Sequence, residues 1–170
     1  NGAMYSYMCG LHYNTNPRGW NGFATLGDFY DKFEATDKRR GGTYAGLTDV
    51  SGLKSGFLIG QQFNQNGVAL QDRKGNPLAF TREVKLKETG NNLEVTGIRV
   101  IKYIPDYAHQ FPADNDMVIF RLADVLLMKA EAILRGGSAT NVGPYGGTAA
   151  AIVNYIRTHT TRGVAALGTV

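Results

Sequence analysis

The stretch from Asp114 to Arg135 leaves the chain little choice of local structure. Ile119, Ala123, Leu126, Ala130 and Ile133 recur at steps of four and three, which sets them along one side of an α-helix. Leu122, Leu127 and Leu134 widen that stripe, so burial is expected over much of the helix circumference. Asp114, Asn115 and Asp116 are capping residue types at the start, and Gly136-Gly137 is a stop signal at the end. A glycine-rich connection over residues 136–147 leads to a second helix predicted over 148–158. Ala149, Ile152, Val153 and Ile156 form its inner side, and the run Ala149-Ala150-Ala151 permits close approach. Two such helices make a hairpin, and a single hairpin cannot bury both of its apolar sides. The expectation is therefore a repeat unit that leans on further helices outside this chain.

Upstream the pattern is different. Residues 1–22 carry Tyr5, Tyr7, His12, Tyr13 and Trp20 among asparagines and glycines, and read as irregular, with a turn at Asn16-Pro17-Arg18-Gly19. A short helix is predicted over 28–33, because Leu26, Phe29, Tyr30 and Phe33 share one face while Asp28, Asp31 and Glu34 take the wetter side. Gly41-Gly42 marks an exit into a loop that runs to about Gly56. Short strands are predicted over 68–71 and 78–81, joined by Asp72-Arg73-Lys74-Gly75-Asn76-Pro77, a connection rich in turn formers. The β-branched run 95–104 predicts another strand, ended by Pro105-Asp106. The fold class is thus mainly α with irregular loops and a few short β-strands. Its division is a loop-rich region over 1–113 and a helical hairpin over 114–170.

Composition excludes several functions. Twenty-two glycines, nine tyrosines, eight phenylalanines and one tryptophan in 170 residues describe a loop-rich surface with rigid aromatic contact area. The net charge is only +4 and its densest run is Lys38-Arg39-Arg40. Nucleic-acid binding needs a denser basic stripe or a reading module, and is not expected. The single cysteine, Cys9, rules out an intramolecular disulfide framework and a cysteine-based zinc cluster. Ser6-Tyr7-Met8 before it follow no apolar leader, so Cys9 reads as a buried, inert thiol and not as a lipidation site. No run of about 18 apolar residues is present. Both ends read as cuts, because Asn1-Gly2 opens without a leader and the apolar 163–170 closes without an evident partner.

Four ordered elements resemble the SusD/RagB family. The run 120–132, Phe-Arg-Leu-Ala-Asp-Val-Leu-Leu-Met-Lys-Ala-Glu-Ala, resembles its Arg-x-Ala-Asp/Glu-x-x-Leu-x-x-Ala-Glu-Ala signature. Gly97-Ile98-Arg99-Val100-Ile101-Lys102-Tyr103 is similar to its Gly-x-Arg-x-x-Lys-Tyr strand, and Val153-Asn154-Tyr155-Ile156-Arg157 to its Val-Asn-x-Ile-Arg helix. Asn21-Gly22-Phe23 through Phe33, with Asp37-Lys38-Arg39, resembles its Asn-Gly-Phe, aromatic-rich, Asp-x-Arg region. The resemblance covers nearly the whole chain. It implies the C-terminal portion of a longer protein, whose hairpin is a tetratricopeptide-like fragment of a SusD-like α-α superhelix. It also implies a lipid-anchored protein on the outer-membrane surface, with the anchor segment outside this chain. Such a protein captures a glycan or another nutrient for a TonB-dependent (SusC-like) transporter. No cofactor is implied, and the membrane is met only through the anchor.

The residues themselves point to binding and not to catalysis. Arg121 with Asp124, and Glu131 with Arg135, stand three and four apart on one helix and are expected to be structural ion pairs. An arginine beside each carboxylate holds it ionised instead of poising it as an acid. Asp28, Asp31, Glu34 and Asp37 crowd one segment without defining the paired carboxyls that glycoside hydrolysis requires. His12, His109 and His159 are scattered and form no metal-ligand spacing. A sugar needs only flat rings for its C–H face and polar groups for its hydroxyl rim. His12, Tyr13, Asn14, Arg18, Trp20 and Asn21 supply these types within one glycine-rich stretch. Trp20, the sole tryptophan, lies outside any periodicity and is either a ligand platform or a core plug. His12 and Tyr13 lean toward structural roles. Tyr44 and Tyr145 are lesser candidates, and Tyr107 reads as packing.

Overall fold

The computed structural model describes residues 8–41, 56–64, 66–89, 93–103, 116–138 and 145–170. The chain divides into two compact units, Asn1–Ala35 with Arg39–Met117, and Thr36–Lys38 with Val118–Val170.

Among the described residues the first unit is built on two antiparallel strand pairs. Strand β1 (Gly56–Leu58) pairs with β4 (Arg99–Ile101), Phe57 standing opposite Val100. Strand β2 (Gly60–Gln61) pairs with β3 (Ala79–Phe80). Alternation sends Leu58, Phe80 and Ile101 inward, where they join Met8, Leu11 and Leu78 in one apolar cluster. Phe57 is buried by a second group of rings, with Phe33 at 4.9 Å and Tyr30 at 5.3 Å, both edge-on.

Several elements are shorter than the sequence predicts. The helix expected over 28–33 is the single turn α1 (Gly27–Tyr30). Lys32 and Phe33 continue it only with turn-type bonds to the carbonyls of Phe29 and Tyr30, and the Phe33 ring packs onto Phe57. The strand predicted over 68–71 reduces to bridges at Phe63–Ala69 and Gln71–Pro77. The turn between the two runs is firm. The Asp72 carboxylate accepts from the N–H groups of Lys74 and Asn76, both at 2.8 Å, and from the Asn76 side chain at 3.1 Å. Burial is the largest influence on Asp72 and pushes its pKa up, but the Asn76 and Lys74 bonds together outweigh it and hold the carboxyl below its usual range. The strand predicted over 95–104 is cut to β4, since Tyr103 takes a left-handed φ of 64° that no ladder continues. Ile104, Pro105 and Asp106 lie outside the described residues.

In the second unit, α2 (Leu122–Leu134) packs on α3 (Ala149–Thr158). Leu126 and Ala130 meet Ala149 and Ile152 in the buried seam, flanked by Ile133, Val153 and Ile156. Helix α2 starts later than predicted. Arg121 is its extended N-cap, and the Asp124 carboxylate accepts the Arg121 backbone N–H at 3.0 Å. Ile119 therefore lies before the helix and is 75% exposed, so it is not part of the stripe. Leu122, Leu127 and Leu134, expected to widen the buried face, are exposed, as are Val125 and Met128. Asp114 and Asn115 lie outside the described residues. Helix α3 starts as predicted, with Thr148 Oγ1 accepting from the Ala151 N–H at 3.1 Å.

The apolar end, which the sequence leaves without a partner, is tied back onto α3. Asn154 donates to the Leu167 carbonyl at 2.9 Å and accepts the Leu167 N–H at 2.7 Å, while Arg157 donates to the Ala165 carbonyl at 3.0 Å. Val164 is buried as a result. Among the described residues no helix is long and apolar enough to cross a membrane.

Candidate functional site

The stretch that carries the candidate ligand residues is a closed loop. Its two limbs zip together through Trp20 N–H to the Met8 carbonyl (2.7 Å) and Asn21 N–H to the Leu11 carbonyl (2.8 Å). Gly22 and Phe23 N–H both reach the Cys9 carbonyl (2.8 and 2.9 Å). Inside the loop, the His12 carbonyl accepts from Gly19 N–H at 3.0 Å and from Thr15 Oγ1 at 2.8 Å. The backbone polar groups are spent internally, which is how an irregular segment can hold one shape.

A buried arginine fixes this loop to β4. Arg99 is almost wholly enclosed, and its guanidinium lies 4.7 Å over the Phe80 ring. It donates to the carbonyls of Thr96 (2.6 Å), Gly97 (2.9 Å) and Glu94 (3.2 Å), and twice to Asn21 Oδ1 (2.8 and 3.1 Å). Burial pulls its pKa down to about 10, so the cation persists at neutral pH among neutral acceptors. Asn21 completes the join by donating to the Glu94 carbonyl at 2.8 Å, and its φ of 53° turns the chain outward toward Phe23. Its side chain is therefore engaged inside the protein.

His12 lies beneath the loop. It is fully buried, its Nδ1 accepts the Asn14 N–H at 3.0 Å, and its Nε2 stands 3.4 Å from Glu94 without a hydrogen bond. Glu94 also pairs with Arg73, whose guanidinium covers the Tyr13 ring at 4.2 Å. Burial lowers the His12 pKa from its ordinary 6.5, against the attraction of Glu94. The unfolded imidazole thus takes a proton first as pH falls, and the stability held above pH 6.5 is lost as pH drops through the folded value. Thermal melts between neutral pH and pH 5 should show a steeper loss for the parent than for His12→Asn, whose carbonyl oxygen keeps the Asn14 bond. Parallel curves would assign the acid sensitivity elsewhere.

What the loop presents outward is aromatic and polar. Trp20 is 47% exposed and Phe23 69% exposed, on a limb held by backbone bonds. Asn14 and Arg18 are exposed and Tyr13 half-buried. Asn14 donates to the Gln71 carbonyl at 2.8 Å, which ties the loop tip to the neighbouring turn. The structure brings Trp20, Tyr13, Asn14 and Arg18 to one surface loop and sends His12 and Asn21 inward.

The sequence pattern of the SusD family matches residues 1–160. The chain belongs to the SusD family. Searches of curated proteins and of solved structures returned no match.

Two of the sequence elements that carry the resemblance now have a physical reason. Asn21 of the Asn-Gly-Phe element and Arg99 of the Gly-x-Arg element are hydrogen-bonded partners, and Thr25 bridges Ile98 beside them. Sequence reading missed this use of Arg99, although an arginine in an otherwise apolar, β-branched run was its visible sign. In the helical element, Arg121 Nε lies 3.8 Å from Asp124, and Arg135 lies 2.7 Å from Glu131. Asp28 and Asp31 converge on Arg82, whose hydrogen bond holds the Asp31 carboxyl below its usual range. Tyr145 packs edge-on to Tyr155 at 5.4 Å within the hairpin, and His159 Nδ1 lies 2.9 Å from Thr161 Oγ1. Tyr44, Tyr107 and His109 lie outside the described residues. Among the described residues no group of His, Cys, Asp and Glu is placed to hold a metal ion.

Proposed function

We propose that this SusD-family chain captures a glycan or similar nutrient on the loop that carries Trp20, without transforming it, for delivery to a TonB-dependent outer-membrane transporter. The observation that carries the reading is a half-exposed indole on a loop whose backbone is closed by its own hydrogen bonds and anchored through Asn21 to buried Arg99. A ring displayed on so fixed a frame meets the C–H face of a sugar with little ordering cost. Tyr13, Asn14 and Arg18 supply the rim, while His12 and Asn21 shape the loop from within. Asp28, Asp31, Asp124 and Glu131 each have an arginine partner, which supports binding over hydrolysis. Within this reading the hairpin of α2 and α3 is a tetratricopeptide-like unit, and the protein is surface-exposed and lipid-anchored.

Trp20→Ala should weaken affinity for the cognate oligosaccharide by about 1–3 kcal/mol, read by calorimetric titration after an oligosaccharide panel has identified the ligand. Unchanged affinity with a lower melting temperature would make Trp20 a packing residue.

A second reading draws on α2. Leu122, Val125 and Met128 form an exposed apolar flank, which supports a docking role in a transporter complex whose nutrient is a peptide or another compound. Capture that persists when the transporter is deleted would favour the first reading, and capture that vanishes with it the second.

A further inference from the structure

A half-enclosed cavity of about 100 Å³ lies in the first unit, lined by Arg40, Gly41, Phe57, Gln61, Gln62 and Phe63 among others. It shares no lining residue with the Trp20 loop. Its walls are held in place. Phe57 is pinned by the rings of Phe33 and Tyr30. The Arg40 guanidinium sits 4.1 Å over the Tyr30 ring and donates to the Phe33 carbonyl at 3.2 Å. Gly56, at φ +90°, lets the chain close beside it, since a Cβ there would lie 2.2 Å from the Arg39 carbonyl oxygen.

The two glutamines give the cavity its chemistry. Gln61 Nε2 donates to the carbonyls of Gln62 and Leu70, both at 2.8 Å, and Gln62 Nε2 donates to the Gly60 carbonyl at 2.9 Å. Both amides are thereby oriented, and among the described residues neither Oε1 accepts a hydrogen bond. Two fixed acceptors, a fixed cationic donor and the 41% exposed Phe63 ring complement one kind of ligand. Hydroxyls both donate and accept, and a pyranose adds a C–H face for the ring. An apolar guest would leave the amide oxygens unmet, and an anion would face them. The volume is well below the roughly 300–1,000 Å³ of a site that encloses a larger ligand, so the half-open cavity seats one edge of a sugar ring and leaves the rest of it in solvent.

We infer that this cavity is a second carbohydrate subsite that takes one edge of a neutral hexose ring, an inference that rests on the glycan-binding reading. The test is amide and indole NMR of the full chain titrated with D-glucose, D-galactose and D-mannose separately. At least one hexose should shift the Gln61 and Gln62 side-chain amide signals. Phe63→Ala should weaken that response about tenfold. Arg40→Gln should weaken it too, and Trp20→Ala should leave it intact. Because Phe63 is partly exposed, its variant is expected to keep the parent's spectrum elsewhere, and Arg40→Gln gives an independent check. Shifts at the Trp20 indole without any at the glutamines would overturn the subsite and leave the glycan reading standing. Silence at both places, with longer oligosaccharides as well, would overturn the glycan reading itself.

Discussion

Arg99→Leu is expected to destabilise the protein by about 3–5 kcal/mol, because it strips the partner from several buried or part-buried acceptors at once. Asn21 Oδ1 and the carbonyls of Thr96 and Gly97 lose their guanidinium N–H groups, while the Glu94 carbonyl keeps its bond from the Asn21 side chain. Each acceptor left unmet in the interior costs about 1–3 kcal/mol, and these costs do not simply add. The variant gains something from no longer enclosing a cation, whose pKa burial has already pulled down to about 10. That gain is smaller than the loss, since the bonds to the Thr96 and Gly97 carbonyls are buried. A melting temperature lower by about 10 °C is the expected reading. Arg99→Lys should recover little, because one ammonium cannot span the fork between Asn21 and the carbonyls. A leucine variant that melts with the parent would show that the loop is held by something else.

Gly19→Ala is the second large effect. A Cβ at that position would lie 2.3 Å from the Leu11 carbonyl oxygen and 2.7 Å from Leu11 Cβ. The first of these obstacles is backbone, so no rotamer change relieves it. The limbs must separate, with loss of the Gly19 N–H bond to His12 and the Trp20 N–H bond to Met8. A cost of about 3 kcal/mol is expected by thermal or chemical denaturation. Because the Trp20 ring moves with its limb, glycan affinity should fall at least as far as in Trp20→Ala. Full affinity in a destabilised Gly19→Ala chain would detach the indole from the binding site.

How much of this was legible depended on the length scale of each signal. Helix α3 was readable because periodicity acts over one or two turns, although Thr148, read as its first residue, is its cap. The start of α2 was misplaced because Asp114, Asn115 and Asp116 imitate a cap, whereas Asp124 caps the helix from inside its first turn. The excess breadth given to its buried stripe has a related cause: a leucine advertises burial without saying whether a neighbour is present to provide it. Strands of two or three residues are below the reach of alternation, and β1 to β4 are set by pairing between segments distant in sequence instead.

For the site, residue types were visible and their direction was not. Nothing local distinguishes His12, turned inward, from Trp20, turned outward. The bond between Asn21 and Arg99 spans 78 residues, so it was present in the sequence only as two separate family elements. The cavity at Gln61 and Gln62 left no mark at all, since paired glutamines carry no motif and their orientation comes from the carbonyls of Gly60 and Leu70.

The sole tryptophan makes the central claim directly measurable, since its emission reports on one place alone. Titrating the chain with an oligosaccharide panel while following indole fluorescence should give a saturable change with at least one glycan, and that glycan should be recovered intact. Emission indifferent to every glycan, or new reducing ends in the recovered sugar, would contradict the account.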